Sequence, residues 1–365
     1  MRKKNPNKIF FIAAGILVLA GFFILASASM GLLTREGTSF YKVLLQQFFF
    51  GIVVGGVLFL IASKIHYKNL KKFALHIFIL SFLLTALVFV RGIGFEHGGS
   101  KRWIKIGLIF FQPSEILKFG FIIYLSAWIA SRKSKIESFK SGFLPFLIII
   151  ALVGLLLVLE PDIGTLGVIA LSGLLLFFLG GGRFTQLAAL ILLGLGILYV
   201  LILLEPYRMN RIITFLDPSF DQTGIGYQLK QSLIAIGSGG IFGRGFGMSI
   251  QKFNYLPEPI GDSIFAVFGE EFGFVGSVFL VSLFLFFIYK GFSLALRAPD
   301  DFSRLLGAGI VILIAVGSFI NIASMVGILP LTGIPLVFIS KGGSAMAITL
   351  AELGVLFNIS KHSKL

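Results

Sequence analysis

Hydrophobic residues occupy most of this chain in long runs that short polar segments separate. A helix that crosses a bilayer needs about 20 apolar residues, and only helices and closed barrels satisfy their backbone groups there. The pattern therefore predicts an all-α, polytopic membrane protein with about ten transmembrane helices, forming a single domain over residues 1–365. The predicted spans lie near residues 9–30, 44–63, 73–91, 115–131, 143–159, 163–180, 184–204, 263–289, 303–326 and 344–360.

One long polar segment interrupts this pattern between spans 7 and 8. Residues 205–262 are rich in glycine and end at Asp262, where the chain enters the next hydrophobic run. Loops longer than about 12–15 residues are commonly functional or disordered. Because this one also contains apolar and turn-forming residues, we predict a functional extracytoplasmic loop.

The charge pattern predicts an orientation. The chain carries a net charge of +15, and more than half of its Lys and Arg residues lie in alternate segments between spans. Cytoplasmic loops carry such an excess, so we expect both termini to be cytoplasmic, in the cytoplasmic (inner) membrane. The lipid bilayer then accounts for the positive charge without nucleic acid as a partner. The segments expected to face outward are 92–114, 160–162, 205–262 and 327–343.

Cysteine is absent, which excludes a disulfide framework and a thiolate metal site. The four histidines are scattered along the chain. Sequence motifs therefore do not identify a metal site.

The first outward segment contains a cluster of cations. Lys101, Arg102 and Lys105 could bind phosphate oxygens, because guanidinium binds oxyanions in a bidentate manner and ammonium acts as a point charge. An interfacial helix anchored by Trp103 is the alternative interpretation.

A helix start follows this cluster. Pro113-Ser114-Glu115 is typical of such a start, with Ser114 as the cap. Glu115 and Lys118, three residues apart at the top of a span, are expected to form a pair.

The Glu160-Pro161-Asp162 turn joins two apolar runs. An Asp before a helix often accepts hydrogen bonds from the amides of the first turn. The sequence therefore allows two interpretations of Asp162, as a helix cap or as part of a binding site.

Glycines are concentrated around Arg244, in residues 237–247. This segment lacks the Gly-Lys-Ser/Thr of a phosphate-binding loop and the strand context of a dinucleotide-binding motif. We expect its glycines to let the backbone approach a ligand or another helix closely.

Four acids lie in or beside the later spans. An unpaired carboxylate at mid-bilayer costs about 2.5–3.5 kcal/mol on insertion scales, so such acids are usually functional or paired. Helical geometry places Glu271 on the opposite face from Asp262, and Glu270 deeper. We therefore predict that Asp262 acts alone at the water boundary, while Glu270 and Glu271 hold helices together. Glu352 has the same structural interpretation, with Asn321 or a basic residue as its partner.

Prolines and glycines break the helical pattern in residues 327–344. Irregular backbone at membrane depth is tolerated where it lines a cavity or is buried in protein. This segment is thus expected to line the site.

Together these segments resemble the SEDS family, the FtsW/RodA/SpoVE proteins of bacterial cell-wall synthesis. The resemblance covers essentially the whole chain, and six motifs in the same order make it specific. Phe215-Leu-Asp-Pro and the Gly-Ser-Gly-Gly sequence favour the FtsW branch, which serves division. The six motifs are Lys101-Arg-Trp-Ile, Phe111-Gln-Pro-Ser-Glu-Ile-Leu-Lys, Glu160-Pro-Asp-Ile-Gly-Thr, Gly226-Tyr-Gln-Leu-Lys-Gln-Ser, Leu256-Pro-Glu with Asp262-Ser-Ile-Phe, and Leu329-Pro-Leu-Thr-Gly with Gly342-Gly-Ser.

The resemblance implies a peptidoglycan glycosyltransferase for cell division or cell-shape maintenance. It would polymerise lipid II, the undecaprenyl-pyrophosphate disaccharide-peptide, at the outer leaflet, beside a class B penicillin-binding transpeptidase. Asp262 matches the family's essential acid. The residues expected to bind substrate are Lys101, Arg102, Lys105, Glu115, Lys118, Asp162, Arg208, Arg244, Glu258 and Ser344.

The chain departs from the family pattern around this acid. The family usually has His-Thr before the Asp and Phe after it, where this chain has Ile260, Gly261 and Ser263. Further departures are Glu160 where Gln is usual, Val337 where Pro is usual and Lys341 where Tyr is common.

The expected chemistry suits these residues. We predict that Asp262 takes the proton of the acceptor sugar's 4-hydroxyl as a general base, an effect worth roughly 10²–10⁴-fold. The departing pyrophosphate needs positive charge, which the predicted cations or a divalent metal ion, Mg²⁺ or Mn²⁺, could supply.

Two other functions stay open at this point. A flippase or transporter of the lipid-linked precursor also fits intramembrane charges, but predicts polar residues through both leaflets. A non-catalytic scaffold for a penicillin-binding transpeptidase would not need Asp262.

Overall fold

The computed structural model describes residues 8–34, 40–97, 100–106, 109–133, 135–204, 206–217 and 224–363, most of which are helical. The helices are α1 (Lys8–Ser29), α2 (Phe40–Gln46), α3 (Val54–Lys64), α4 (Tyr67–Lys72), α5 (Ala74–Ala86), α6 (Pro113–Ser131), α7 (Leu144–Leu159), α8 (Ile163–Leu179), α9 (Phe184–Leu204), α10 (Pro206–Leu216), α11 (Ile225–Ser238), α12 (Ile264–Leu296), α13 (Asp301–Met325) and α14 (Gly343–Lys361). The strands are β1 (Gly94–His97), β2 (Ser100–Ile106) and β3 (Ile109–Phe111). Two π-helical turns, Gln47–Val53 and Phe139–Phe143, lead directly into α3 and α7.

The described helices confirm the prediction of a multi-pass, helical membrane protein. Within the described ranges, eight helical stretches are long and apolar enough to cross a membrane. Two shorter apolar helices, Ala74–Phe89 and Ile163–Leu179, lie where the third and sixth spans are predicted. The eight are Lys8–Leu33, Phe40–Lys64, Pro113–Ser131, Phe139–Leu159, Phe184–Leu203, Ile264–Leu296, Asp301–Met325 and Gly343–Lys361.

Helix α13 lies at the centre of the bundle. It packs against α6, α8, α12 and α14, and most of its residues are buried. Helix α9, by contrast, is almost entirely exposed. A helix that is apolar all round is either buried in protein or faces lipid. Helix α13 is the buried case, and α9 is the lipid-facing case.

Residues 94–97, 100–106 and 109–111 form a small antiparallel sheet in the order β1-β2-β3. The alternative of an interfacial helix at Lys101–Lys105 is therefore wrong. Ile104 is buried while Lys101 and Lys105 are exposed, which is the two-residue alternation of a strand. The sheet places Arg102 on the same face as Ile104, towards the protein.

Much of the predicted 205–262 loop is helical. Helix α11 packs against α12 and buries Leu229 and Ala235, which explains the apolar residues in this polar segment. Among the described residues of this segment, most turns without regular structure lie in the glycine-rich part that follows Ser238.

Helix α12 is broken at Gly273, which has φ 66° and ψ −162°. In a continuous α-helix each amide bonds to the carbonyl four residues earlier. Here the amides of Phe274 and Val275 donate instead to the carbonyl oxygens of Gly240 and Ile241, at 2.9 and 3.0 Å. We call this interruption the helix break.

The carbonyl groups that the helix break releases find partners in the same segment. The amides of Arg244 and Gly245 donate to the oxygens of Glu270 and Glu271, at 3.0 and 2.9 Å. The glycine-rich segment and α12 thus exchange four backbone hydrogen bonds, which pair polar groups that the break removes from the helix.

The glycines allow this close approach, as the sequence predicted. Replacing Gly239 with Ala is expected to lower the melting temperature of the detergent-solubilised protein, because the new Cβ would lie 2.1 Å from the Gly269 carbonyl oxygen. Overpacking of this kind costs about 1–3 kcal/mol. Gly237→Ala is the matched control, since a Cβ there meets no described atom within 4 Å. Equal melting temperatures for the two variants would contradict the close contact.

Candidate functional site

Polar segments meet at one end of the helix bundle, which we call the site end. Arg102 of β2 contacts the 160–162 turn through the carbonyl oxygen of Pro161. A Cβ on Gly164, just after this turn, would lie 2.9 Å from the Thr332 carbonyl oxygen. The segments that form the site end are the sheet, the 160–162 turn, residues 239–263 and residues 327–342.

The backbone of Asp262 is fixed from two sides. The Asn321 side-chain amide donates to the carbonyl oxygens of Asp262 and Ile334, both at 2.7 Å. The Ser340 hydroxyl donates to the carbonyl oxygen of Gly261 at 2.6 Å. Asp262 therefore has a defined position immediately before α12, between α13 and the irregular 327–342 segment.

The Asp262 carboxylate has one bonded and one free oxygen. Oδ2 accepts a hydrogen bond from Gln228 Nε2 at 3.3 Å, while Oδ1 is buried and has no hydrogen-bond partner among the described residues. Burial, together with the nearby negative charge of Glu258, raises the pKa of Asp262 to about 6, against the effects of Gln228 and Arg211. The carboxylate is then mostly ionised at neutral pH yet basic enough to accept a proton, as a general base requires.

Glu258 forms the turn that presents Asp262. Its carbonyl oxygen accepts from the amides of Gly261 and Ser263, at 3.0 and 3.2 Å. The side chain is exposed, and a Cβ on Gly261 would lie 3.2 Å from its carboxylate oxygen. This places an exposed carboxylate beside the candidate base.

Asp162 both caps a helix and pairs with a cation. Its carboxylate accepts from the Thr165 amide at 3.2 Å, which confirms the capping interpretation. It also accepts from Gln112 Nε2 at 3.3 Å and lies 3.7 Å from the Arg102 guanidinium. Asp162 therefore orients Arg102 at the site end.

Helix α6 begins with Gln112 as its N-cap, so the prediction of Ser114 as the cap is wrong. Pro113 takes the first helical position, which its fixed φ favours, and Ser114 is buried inside the first turn.

The expected Glu115–Lys118 pair is confirmed at 2.8 Å. Both side chains line a small cavity together with Glu352 of α14 and Thr349. Lys118 interacts electrostatically with Glu352. The partner of Glu352 is therefore the basic residue that the sequence analysis gave as one of two possibilities. Asn321 is instead bonded to Asp262.

Glu160 is buried, with 1% of its surface exposed, and neither carboxylate oxygen has a hydrogen-bond partner among the described residues. Burial and the like charge of Asp162 raise the pKa of Glu160 to about 9, although Arg102 opposes the shift. The side chain is thus a neutral acid at pH 7, which resembles in shape and charge the Gln that is usual there.

This environment predicts a pH-dependent effect of Glu160→Gln. An unfolded Glu ionises near pH 4.5 and the folded one near pH 9, so folding binds a proton and stability falls as pH rises between these values. In thermal scans in detergent at pH 8.5, the melting temperature of the variant is expected to be a few degrees higher than that of the unmodified protein. At pH 5 the two melting temperatures are expected to be nearly equal. A gain in melting temperature that is the same at both pH values would contradict a neutral Glu160.

Glu270 and Glu271 are paired, as the sequence predicted. Glu271 accepts from Lys252 Nζ at 2.8 Å and from the Ser27 hydroxyl of α1 at 2.6 Å. Glu270 accepts from the Ser249 hydroxyl at 2.5 Å, and its oxygen lies 3.4 Å from Arg244 Nε. Arg244, a predicted substrate ligand, therefore holds the segment beside the helix break.

The remaining predicted ligands lie apart from this network. Lys101 and Lys105 are exposed on β2, and Lys105 lies over the Phe110 ring at 5.8 Å. The Ser344 hydroxyl donates to the Phe110 carbonyl oxygen at 3.3 Å and links the sheet to α14. Arg208 belongs to α10, but its side chain lies outside the described part of the chain.

The sequence did not identify Gln228, Asn321 or Arg211 as neighbours of Asp262, or Lys252 as the partner of Glu271. Gln228 lies in the Gly226-Tyr-Gln-Leu-Lys-Gln-Ser motif, and only its position on a helix facing Asp262 distinguishes it from Gln231. The other three became recognisable only through contacts distant in sequence.

A divalent metal ion at this site stays an expectation. No three His, Asp or Glu side chains in the described ranges are grouped to hold a metal ion. Mg²⁺ is often bound by one or two carboxylates plus substrate phosphates. Near Asp262, Glu258 offers one exposed carboxylate of this kind.

Comparisons with known proteins agree across the full chain. A family model described as "Cell cycle protein", for FtsW, RodA and SpoVE, matches residues 7–365. Stage V sporulation protein E of Bacillus subtilis (strain 168) is 36% identical over 364 residues, covering 100% of this chain and 99% of the relative. "Probable peptidoglycan glycosyltransferase FtsW" of Geobacter sulfurreducens (strain DL-1 / KN400) is 35% identical, covering 98% and 95%.

Solved structures share the fold. A structure described as "Structural coordination of polymerization and crosslinking by a peptidoglycan synthase complex" contains a chain with a TM-score of 0.78 and 25% identity, covering 97% of both chains. The crystal structure of the rod shape determining protein RodA from Thermus thermophilus gives a TM-score of 0.72 at 25% identity, covering 99% of this chain and 98% of that one.

Proposed function

This chain belongs to the FtsW, RodA and SpoVE family, and we propose that it is a peptidoglycan glycosyltransferase that polymerises lipid II. The observation that carries the proposal is Asp262, whose position is fixed by Asn321 and whose carboxylate keeps one oxygen free of hydrogen bonds. Full-length relatives named as probable peptidoglycan glycosyltransferases support the same activity.

Asp262 acts as the general base of the transfer. Its Oδ1 takes the proton from the 4-hydroxyl of the acceptor sugar while that oxygen bonds to the anomeric carbon of the donor. The bond between the anomeric carbon and the lipid pyrophosphate breaks, and its electron pair leaves with the pyrophosphate. Asp262 then returns the proton to water.

The leaving pyrophosphate requires positive charge. Lys101 and Lys105 are exposed at the site end, and Arg102 is oriented there by Asp162. Arg211 of α10 acts electrostatically on Asp262 and adds a fourth cation. Mg²⁺ or Mn²⁺, held by Glu258, would supply further charge to the pyrophosphate.

We place the site end at the outer face of the cytoplasmic membrane. The opposite end of the bundle gathers α4 and the start of α13, where Tyr67 bonds to Asp300 and Lys133 to Asp301. From Asp301 to Asn321, α13 rises about 30 Å, the thickness of a bilayer core. The excess of Lys and Arg at the opposite end favours a cytoplasmic position for it and for both termini. The polyprenyl tails of lipid II then remain in the outer leaflet.

A class B penicillin-binding transpeptidase is the partner we propose. The likeness to a chain from a complex that coordinates polymerisation and crosslinking supports it, because crosslinking is the reaction of a transpeptidase. Glycan strands made at Asp262 would pass directly to that partner.

The test is incubation of the purified protein with fluorescent lipid II, with and without the transpeptidase, followed by separation of products by size. Glycan strands are the expected product. Movement of lipid II across proteoliposome membranes without polymer would favour the flippase function. Polymer that forms only from a partner enzyme, and equally with Asp262 replaced, would favour the scaffold.

A further inference from the structure

The Gln228 side chain joins α11 to the residue pair that begins α12. Its Nε2 lies 3.3 Å from Asp262 Oδ2 and 3.0 Å from Ser263 Oγ. Ser263 is fully buried and Gln228 is half-buried, so water competes little for either contact. Gln228 is the neutral hydrogen-bond donor to the Asp262 carboxylate.

The two contacts fix the orientation of the amide. An amide nitrogen carries two hydrogens, and an ionised carboxylate only accepts hydrogen bonds. The nitrogen must therefore face Asp262, and its second hydrogen reaches the Ser263 hydroxyl oxygen. Ser263 stands where the resembling family usually has Phe, which offers no such acceptor.

We propose that Gln228 and Ser263 form a positioning pair that holds Oδ2 of Asp262, so that Oδ1 faces the acceptor hydroxyl. This inference rests on the proposed glycosyltransferase function and extends it. Neither residue exchanges a proton with the substrate. Both act through Asp262. Ser263, which replaces the Phe usual in the family, thereby serves in this chain as the hydrogen-bond acceptor that orients Gln228.

The pair also sets the pH at which Asp262 becomes an active base. A hydrogen bond donated to a carboxylate stabilises its ionised form, so its loss raises the pKa of Asp262 further above its usual value. The charged groups that act on Asp262 are Glu258 on its own segment and Arg211 on α10. Lys341, on the 327–342 segment, acts on Glu258, while Asn321 on α13 is neutral. All of these stay in place when Gln228 is changed.

The experiment compares polymerisation rates of the full-length protein with fluorescent lipid II between pH 5 and pH 8.5. For Gln228→Leu, the acidic limb of the rate profile is expected to move up by about one pH unit, since bonds to charged groups are worth one to two such units. Ser263→Ala is expected to move it in the same direction by less. Gln231→Leu, the same change one turn further along α11, is the matched control and keeps the limb in place.

The outcomes separate the inference from the function. An acidic limb of Gln228→Leu that coincides with that of the unmodified protein, whatever the rate, overturns the positioning pair. If Gln228→Leu does not purify as folded protein, an unmoved limb for Ser263→Ala overturns it in the same way. An unmodified protein that makes no polymer overturns the glycosyltransferase function instead.

Discussion

Replacing Asp262 with asparagine is expected to reduce lipid II polymerisation by about 10²–10⁴-fold, the usual contribution of a general base. Asparagine keeps the shape of the side chain and can still contact Gln228, so the bonds from Asn321 and Ser340 to the backbone persist. What is lost is the capacity of Oδ1 to accept the hydroxyl proton. The rate is measured with purified protein and fluorescent lipid II at pH 7.5.

The control for this substitution is Asp301→Asn at the opposite end of the bundle. Asp301 is paired with Lys133 and Arg304 on the surface, where such pairs contribute about 0–1 kcal/mol. Its loss should leave the polymerisation rate unchanged. An Asp262→Asn protein that is folded, by its melting temperature, and still polymerises normally would remove Asp262 from the mechanism.

Replacing Lys252 with methionine is expected to destabilise the protein by about 3–5 kcal/mol, because one partner of a buried ion pair is lost. Lys252 has no exposed surface and Glu271 has 2%, so the remaining carboxylate would be isolated in a low-dielectric interior. The Ser27 hydroxyl alone would then bond to it. The effect is measured as a lower melting temperature in detergent.

Two variants establish the cause. The double substitution Lys252→Met with Glu271→Gln removes the isolated charge and should recover much of the lost stability. Arg183→Met breaks the exposed Arg183–Glu137 pair and should change stability little. A double variant as unstable as Lys252→Met would show that packing, rather than charge, causes the loss.

The membrane spans were predictable because the length of an apolar run is a local property. The small sheet was not predicted as such, although Lys101, Ile104 and Lys105 alternate between exposed and buried. Its short strands are paired across only a few residues, and an aromatic residue among cations is equally typical of an interfacial helix. The helical parts of residues 205–262 were not predicted, because the glycines that follow them indicated a loop for the whole segment.

The candidate base was predictable from a motif, whereas its surroundings were not. Asp262 is conspicuous as an acid at the start of a span, but Gln228 and Asn321 reach it from positions 34 and 59 residues away. Similarly, the sequence indicated that Glu271 is paired, but Lys252 became its partner only through the folding of the glycine-rich segment. Contacts of this kind depend on how helices pack against one another, and the hydrophobic pattern of the sequence does not predict that packing.

The helix break has a consequence for the energetics of substrate binding. The chain between Gly245 and Asp262 is tied at both ends, by backbone bonds to α12 and by Asn321. A segment closed in this way has already lost much of its conformational entropy during folding. Less conformational entropy remains to be lost when this segment orders around a bound sugar or pyrophosphate. A larger share of the contact free energy therefore contributes to binding affinity.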